Sequence, residues 1–184
     1  MQRTENATHT SENATQRTVF FFGHAAGELK YMSNFYPCKF SMAHDCIDKA
    51  DDVYTYPTSE HAIMHIKACL MGDNNIAEKI LSADKPLVAK RLGRKVKPWD
   101  ENKWKSNVEF IAYSVLIAKF SQNNEIAQKL LGTGDKIIAE ANPRDKLWGI
   151  GIGAIKAKQG EKWKGQNILG KALMKVRAEL RGDW

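Results

Sequence analysis

The stretch 58-TSEHAIMHIKACLMG-72 predicts a helix that carries both core residues and candidate catalytic groups. Thr58 or Ser59 can cap its start, because a side-chain oxygen there accepts an otherwise unpaired backbone N–H, and Gly72 can end it. At about 100° per residue, five apolar residues fall within one arc of roughly 120°. They are Ala62, Ile63, Ile66, Cys69 and Leu70. This arc predicts the face of the helix that packs into the core.

The two histidines of this helix, His61 and His65, lie together on one flank of the predicted core arc. A histidine pair four residues apart can bind zinc, but a zinc site needs at least a third protein ligand. Glu60 points about 100–140° away from both histidines and is poorly placed to be that ligand. His24, His44 and the cysteines stand at no spacing typical of a zinc site. We therefore expect histidines that form hydrogen bonds or lie at a solvated surface, with no metal and no other cofactor.

The other flank carries Glu60 and Lys67, with Met64 and Met71 between and beyond them. The two charged residues lie about 10 Å apart along the helix axis, and the long lysine side chain leans back toward the amino terminus. Methionines around such a pair suggest a partly dry pocket wall, which would raise the pKa of the carboxyl and lower that of the ammonium. The alternative is an ordinary ion pair at the core boundary, and the helix alone favours it.

Outside this helix, short strands followed by helices predict an α+β, mainly helical fold. Strands are predicted over 19–22, 38–40, 53–56 and 137–141. Helices are predicted over 58–71, 75–81, 84–94, 100–120, 124–131 and 167–181. The tandem repeat ENAT-HTS-ENAT-QRT is too polar to bury much surface, so residues 1–18 are predicted to be a disordered tail. Residues 19–184 are predicted to form a single domain.

The totals limit the setting in which this chain works. No apolar run approaches the roughly 20 residues that cross a bilayer, and the amino terminus lacks the apolar core of a signal peptide, so we expect no membrane association. Three cysteines, never spaced as CxxC, suggest reduced thiols and a cytoplasmic or nuclear protein. The net charge of +7 suits phosphate-bearing partners, or equally a generally basic surface.

Three further segments carry candidate binding residues. The turn 33-SNFYP-37 presents Asn34 and Phe35, and Asn34 can either read a ligand or hold the turn. Residues 90–105 hold seven Lys and Arg with two tryptophans, a mixture that suits phosphates and a stacked base. Most of these cations fit a solvated helix end equally well. Arg91 and Arg94 (with Lys90) are the better phosphate candidates, and Trp104 is a stacking candidate.

The loop 142-NPRDKLWGIGIG-153 sets Asp145 and Trp148 beside alternating glycines. It lacks the following helix and acidic residue of a dinucleotide-binding fingerprint. Gly149 and its neighbours instead indicate a backbone that passes close to something, with Trp148 offering a flat face. The alternatives are a turn aspartate and a core tryptophan.

These segments together resemble the NADAR superfamily, named for NAD and ADP-ribose. The resemblance rests on SNFYP (33–37), TSEHAIMHIKA (58–68), AKRLGR (89–94), the WDENKW region, LLGTGDKIIAEANPRDKLWGIGIG (130–153) and WKGQNILGKALMKVRAEL (163–180). It covers about Val19 to Leu180 and implies hydrolysis of an N-glycosidic bond to a ribose. It also implies that Glu60 and Asp145 are the acidic site residues, and that Asn34 and Trp148 line the pocket.

The resemblance leaves the substrate open. One branch of the family acts on phosphoribosyl-aminopyrimidine intermediates of riboflavin synthesis, and another removes ADP-ribose from guanine, including guanine in nucleic acid. The basic charge favours ADP-ribosylated guanine, with DNA or RNA as a possible carrier. Lys67 offers a covalent variant, in which its amine attacks C1′ of the ribose. A module that binds ADP-ribose or NAD without cleaving it is the non-enzymatic alternative.

Overall fold

A computed structural model describes residues 17–23, 27–44 and 52–182. The described residues divide into two compact units, one formed by those up to Phe22 with those from Gln128 onward, and the other by those within Gly23–Ala127. The predicted disordered tail lies outside the described residues, except that residues 17 and 18 are described and Thr18 begins a strand. The single-domain assignment for 19–184 stays a prediction.

The mainly helical α+β fold is confirmed. The strands are β1 (Thr18–Phe21), β2 (Phe40–Ala43), β3 (Val53–Tyr56) and β4 (Ile137–Glu140). The helices are α1 (Ser59–Met71), α2 (Asn74–Leu81), α3 (Pro86–Gly93), α4 (Glu101–Ser121), α5 (Asn124–Leu131), α6 (Ala154–Lys158) and α7 (Ile168–Arg181). No helix in these described ranges is long and apolar enough to cross a bilayer.

Two elements escaped the sequence analysis, and one strand is displaced. The short helix α6 and a 3-10 turn over Lys30–Met32 were both unpredicted. The strand expected at 38–40 begins only at Phe40, where pairing with Tyr56 of β3 starts. Cys38 instead donates its backbone N–H to Pro57, outside the strand ladder.

In the unit Gly23–Ala127, α1 is the central helix and packs against α2, α3, α4 and β3. Thr58 caps its start by accepting the N–H of His61, and Gly72 ends it with a φ of 78°, a conformation that favours glycine. Four of the five residues of the predicted core arc are buried, and burial extends beyond the arc. Glu60 is 5% exposed and His61 is 1% exposed, because helices and strands cover α1 on several sides. Leu70 of the predicted core arc is only half-buried.

In the other unit, β1 and β4 pair in parallel, from Thr18 opposite Ile137 to Phe21 opposite Glu140. Helix α7 packs on β4. Asn167, with φ of 54°, extends the strand edge through its side chain: its amide donates to the Ile138 carbonyl and its oxygen accepts the Glu140 N–H. These contacts fix the backbone from which the 142–153 loop departs.

Candidate active site

The first turn of α1 places a buried carboxylate at a helix amino terminus. Glu60 lies in that turn, and its backbone N–H donates to the Asn34 carbonyl at 2.9 Å. This bond ties α1 to the turn that carries Asn34 and Phe35. The helix dipole favours acidic side chains at this end of a helix.

Two buried oxygen atoms have no hydrogen-bond partner among the described residues: Asn34 Oδ1 and Ser59 Oγ. Ser59 precedes Glu60 in the chain, and the Asn34 carbonyl accepts the Glu60 N–H. Asn34 is 7% exposed and Ser59 is 0% exposed. A buried polar group without a hydrogen bond costs free energy, so such atoms are rare unless a ligand or water completes them. Sequence reasoning treated Ser59 only as a possible cap, since its unmet hydrogen bond appears only in three dimensions.

Lys67 is held between a carbonyl and two indole rings. Its Nζ donates to the Gly93 carbonyl at 2.8 Å and lies 4.4 Å from the ring centroid of Trp99 and 5.4 Å from that of Trp104. Position 93 lies against the side chain of Met64 on α1. A Cβ at Gly93 would collide with that side chain, so only glycine fits here without a shift.

The pKa of Lys67 is lowered, chiefly by burial. Glu60 opposes this by raising the pKa, Arg94 lowers it further, and Glu101 raises it. The direction is the one expected from the methionine-lined wall, where Met64 and Met71 are each 7% exposed. A lowered pKa increases the fraction of uncharged amine, which is the nucleophilic form.

The aromatic and basic groups around Lys67 differ in exposure. Trp104, the predicted stacking residue, is only 6% exposed, whereas Trp99 is 43% exposed. Trp99 was not singled out from the sequence, because spacing alone does not tell which of two neighbouring tryptophans faces solvent. Arg91 and Arg94 are both exposed. We call the exposed side chains of Arg91, Arg94 and Trp99 the rim of the candidate site: it has an accessible indole ring and exposed cations.

Phe35 belongs to the same unit and is half-buried. Lys90 Nζ lies 5.4 Å from its ring centroid, within range of a cation–π interaction. One compact unit therefore holds five of the predicted site residues, which are connected through α1, α3, α4 and the 33–37 turn. They are Asn34, Phe35, Glu60, Lys67 and Trp104.

The histidine flank of α1 is fully occupied by protein partners. His61 Nδ1 bonds Thr58 Oγ1 at 2.7 Å and its Nε2 bonds the Ala83 carbonyl at 3.0 Å. His65 Nδ1 bonds the Tyr56 hydroxyl at 2.7 Å, and its Nε2 lies 3.6 Å from Cys69 Sγ. Among the described residues, no group of three or more His, Cys, Asp or Glu is arranged to hold a metal ion.

Burial also explains the titration of these histidines. It lowers the pKa of His61, against a smaller raising effect from the Ala83 carbonyl. Burial lowers the pKa of His65 to about 4, with His44 adding to the shift. Both rings therefore favour the neutral form at physiological pH.

Asp145, Trp148 and Gly149 belong to the other unit. Asp145 Oδ1 accepts the backbone N–H groups of Leu147 at 3.0 Å and Trp148 at 2.8 Å, which closes the turn. Gly149 packs against backbone: a Cβ there would lie 2.7 Å from the Glu140 carbonyl oxygen. One oxygen of Asp145 thus has a structural task, and its catalytic role stays a prediction, as do the ligand-binding roles of Trp148 and Gly149.

Comparison with known proteins supplies the family. The NADAR domain model matches residues 20–181. N-glycosidase R617 of Acanthamoeba polyphaga mimivirus is 36% identical over 170 residues, which cover 90% of this chain and 97% of that protein. Riboflavin biosynthesis protein VVA0006 of Vibrio vulnificus is 32% identical over 152 residues, 82% of this chain but 35% of that longer protein.

The solved structure of the Escherichia coli protein YbiA, determined by NMR, has a similar fold. The TM-score is 0.69 at 30% sequence identity, with 90% of this chain and 86% of that chain covered. YbiA carries the name N-glycosidase. The fold is therefore shared with a protein that bears this name.

Proposed function

Because the chain belongs to the NADAR domain family, we propose that it is a hydrolase that cleaves the N-glycosidic bond between a ribose and a base amino group. Its foremost proposed substrate is ADP-ribosylated guanine, as a nucleotide or within DNA or RNA. The observation that carries the proposal is the buried Glu60 at the start of α1, whose backbone N–H bonds the Asn34 carbonyl, together with the buried Asn34 Oδ1 and Ser59 Oγ, which have no partner among the described residues. A carboxylate and two unmet polar atoms fit a ribose, which offers hydroxyl groups and develops positive charge at C1′.

In the direct mechanism, Glu60 stabilises the oxocarbenium-like transition state and accepts a proton from the attacking water. The C1′–N bond breaks, a C1′–O bond to water forms, and the proton that Glu60 takes from the water passes to the departing nitrogen, which leaves as the amino group of the base. Asn34 Oδ1 and Ser59 Oγ would orient the sugar hydroxyls, which gives these buried atoms their missing hydrogen bonds.

In the covalent variant, the uncharged amine of Lys67 attacks C1′ and the base leaves with a proton. The resulting ribosyl-lysine opens to a Schiff base, which water then hydrolyses to release the sugar and restore the amine. The lowered pKa of Lys67 supports this variant. Its hydrogen bond to the Gly93 carbonyl fixes the position of Nζ.

The rim supports a phosphate-rich substrate. Seven of the 28 Lys and Arg residues fall within 90–105, against Asp100 and Glu101. Arg91 and Arg94 are exposed, and Trp99 presents a ring on which a base can stack. These features suit the diphosphate of ADP-ribose or a polynucleotide backbone. Cys38 and Cys69 form no disulfide with another described residue, which supports our proposal of a cytoplasmic or nuclear setting.

A phosphoribosylamino-pyrimidine of riboflavin synthesis is the second candidate substrate. The name of the Vibrio vulnificus relative favours it, although this chain spans only 35% of that protein. A binding module without hydrolysis is the third reading. It would need the exposed ring and the cations but would have no use for a buried carboxylate in the first turn of α1.

The test is a side-by-side assay of the full chain on three substrates: an oligonucleotide with one ADP-ribosylated guanine, ADP-ribosyl-guanosine, and the phosphoribosylamino-pyrimidine. Mass spectrometry follows the release of each sugar phosphate, and a Glu60→Gln preparation controls for contaminating hydrolases. We expect ADP-ribose release from the first two to be fastest. Preference for the pyrimidine would transfer the proposal to the second candidate, and binding without any release would support the module.

A further inference from the structure

The most deeply buried cation in the unit Gly23–Ala127 that the mechanism above does not use is Lys119 of α4. Its side chain is 0% exposed. Nζ donates to the carbonyl oxygens of Tyr31 at 2.7 Å and Ser33 at 3.2 Å. It also lies 5.6 Å from the ring centroid of Tyr36 and 5.2 Å from that of Phe120.

Stability alone gives a poor reason for a lysine at this position. Among the described residues, Lys119 has no carboxylate partner, and a buried cation without a counter-ion loses its hydration at a large cost in free energy. An apolar side chain would pack there without that cost. What it could not do is donate hydrogen bonds to two backbone carbonyls.

Those two carbonyls flank the turn that leads into the candidate site. Tyr31 belongs to the 3-10 turn over Lys30–Met32, and Ser33 is followed directly by Asn34. The Asn34 carbonyl accepts the N–H of Glu60. A continuous set of hydrogen bonds therefore runs from α4 through Lys119 to the 31–34 backbone, and from there to the first turn of α1.

We propose that Lys119 is a positioning residue for the hydrolysis: it fixes the 31–34 backbone so that Asn34 Oδ1 and the first turn of α1, with Glu60, face the same bound ribose. This role rests on the proposed function. Lys119 itself touches no substrate, because it is fully enclosed by protein. Its effect on the reaction passes through the backbone that it holds.

The titration of Lys119 is compatible with this task. Burial lowers its pKa to about 7, while Cys38 exerts a smaller raising effect. A neutral lysine amine still has two N–H donors, one for each carbonyl. The two hydrogen bonds can therefore persist in both protonation states.

The experiment compares Lys119→Met, Lys119→Gln and an exposed control, Lys171→Met, in the full chain. Methionine retains the length of the side chain but has no N–H donor, whereas the glutamine amide has two. We expect Lys119→Met to lower kcat roughly 10- to 100-fold with KM changed less than threefold, in line with the cost of a misplaced catalytic group. Lys119→Gln should recover part of the lost kcat, and Lys171→Met should match the wild type.

Hydrogen exchange provides the second readout. Lys119→Met should speed amide exchange in peptides that cover 31–36 and 58–62, with the peptides of α7 unchanged. Equal exchange in the wild type and the variant, or faster exchange with unaltered kcat, would overturn the positioning role. If Lys119→Met does not fold, the comparison of Lys119→Gln with the wild type decides by the same two readouts. A wild-type chain that hydrolyses none of the substrates would overturn the proposed function itself, whatever the variants show.

Discussion

Both flanks of α1 carry polar residues, but the two flanks differ in how far the protein supplies their hydrogen-bond partners. On one flank, His61 and His65 have protein partners at both ring nitrogens. On the other lies Glu60, whose backbone N–H bonds the Asn34 carbonyl; the buried oxygens of Asn34 (Oδ1) and of Ser59 (Oγ), which precedes Glu60 in the chain, have no partner among the described residues. Polar groups that are satisfied by the fold stabilise it, whereas polar groups left unsatisfied indicate where another molecule binds. On this difference we propose a structural role for the histidines and a catalytic role for the glutamate flank.

The largest effect is expected from Glu60→Gln. The substitution retains the shape of the side chain but removes the negative charge and the proton acceptor, so kcat should fall roughly 10³-fold. Single-turnover base release measures this, and circular dichroism checks that the fold is retained. A loss below about tenfold would mean that the glutamate flank is not the catalytic one.

The role of Lys67 distinguishes the direct mechanism from the covalent one. If its amine forms a Schiff base, sodium borohydride added during turnover should attach the reduced sugar to the peptide that contains Lys67, and Lys67→Met should lower kcat roughly 10²-fold or more. Peptide mass spectrometry detects the adduct, with Lys171→Met as the matched control. Full activity of Lys67→Met without trapping would leave water as the only nucleophile.

Asp145→Asn tests whether a catalytic carboxylate lies outside α1. Asparagine retains an Oδ1 acceptor for the N–H groups of Leu147 and Trp148, so the turn should survive while the carboxylate is lost. From the resemblance to NADAR proteins we expect kcat to fall roughly 10²-fold, with an unchanged melting temperature. Wild-type kcat in this variant would make Asp145 a turn residue and nothing more.

The smallest effect on catalysis, and the clearest effect on stability, is expected from His65→Phe. Loss of the hydrogen bond to the Tyr56 hydroxyl should cost about 1–3 kcal/mol of unfolding free energy, while kcat stays within about twofold of the wild type. Urea unfolding at pH 7 measures the first quantity. A large loss of kcat with little loss of stability would reverse the assignment of the flanks.

The same histidine predicts a pH dependence. Its folded-state pKa of about 4 lies below the ordinary 6.5, so between these values the unfolded chain binds more protons than the folded one. The stability contribution is therefore complete above about pH 6.5 and is lost as the pH falls toward 4. Wild-type unfolding free energy should drop over this window, and His65→Phe should show a shallower drop. Parallel curves would contradict the assigned titration.

Local chemistry made much of this fold predictable. The bounds of α1 follow from Thr58 and Gly72, whose capping roles depend on a few neighbouring residues. The burial of α1 on several sides was harder to predict, because the periodicity of one helix does not reveal how many elements surround it. The same limit applies to Trp99 and Trp104, whose spacing gives no sign of which ring is exposed.

The site was predictable only as far as residue types and resemblance allow. Glu60 and Lys67 could be named because they share a helix flank, and Asn34 because it lies in the SNFYP turn. Lys119 could not be found in this way. It lies 86 residues along the chain from Ser33, and its sequence neighbours are those of an ordinary helix end. Long-range contacts of this kind are a property of the folded chain.

The contrast between the two flanks is tested most directly by measuring Glu60→Gln and His65→Phe together, each for its single-turnover rate and its melting temperature. We expect a crossover: Glu60→Gln loses roughly 10³-fold in rate at a nearly unchanged melting temperature, whereas His65→Phe melts about 2–8 °C lower at a nearly unchanged rate. A rate lost in His65→Phe and retained in Glu60→Gln would contradict it.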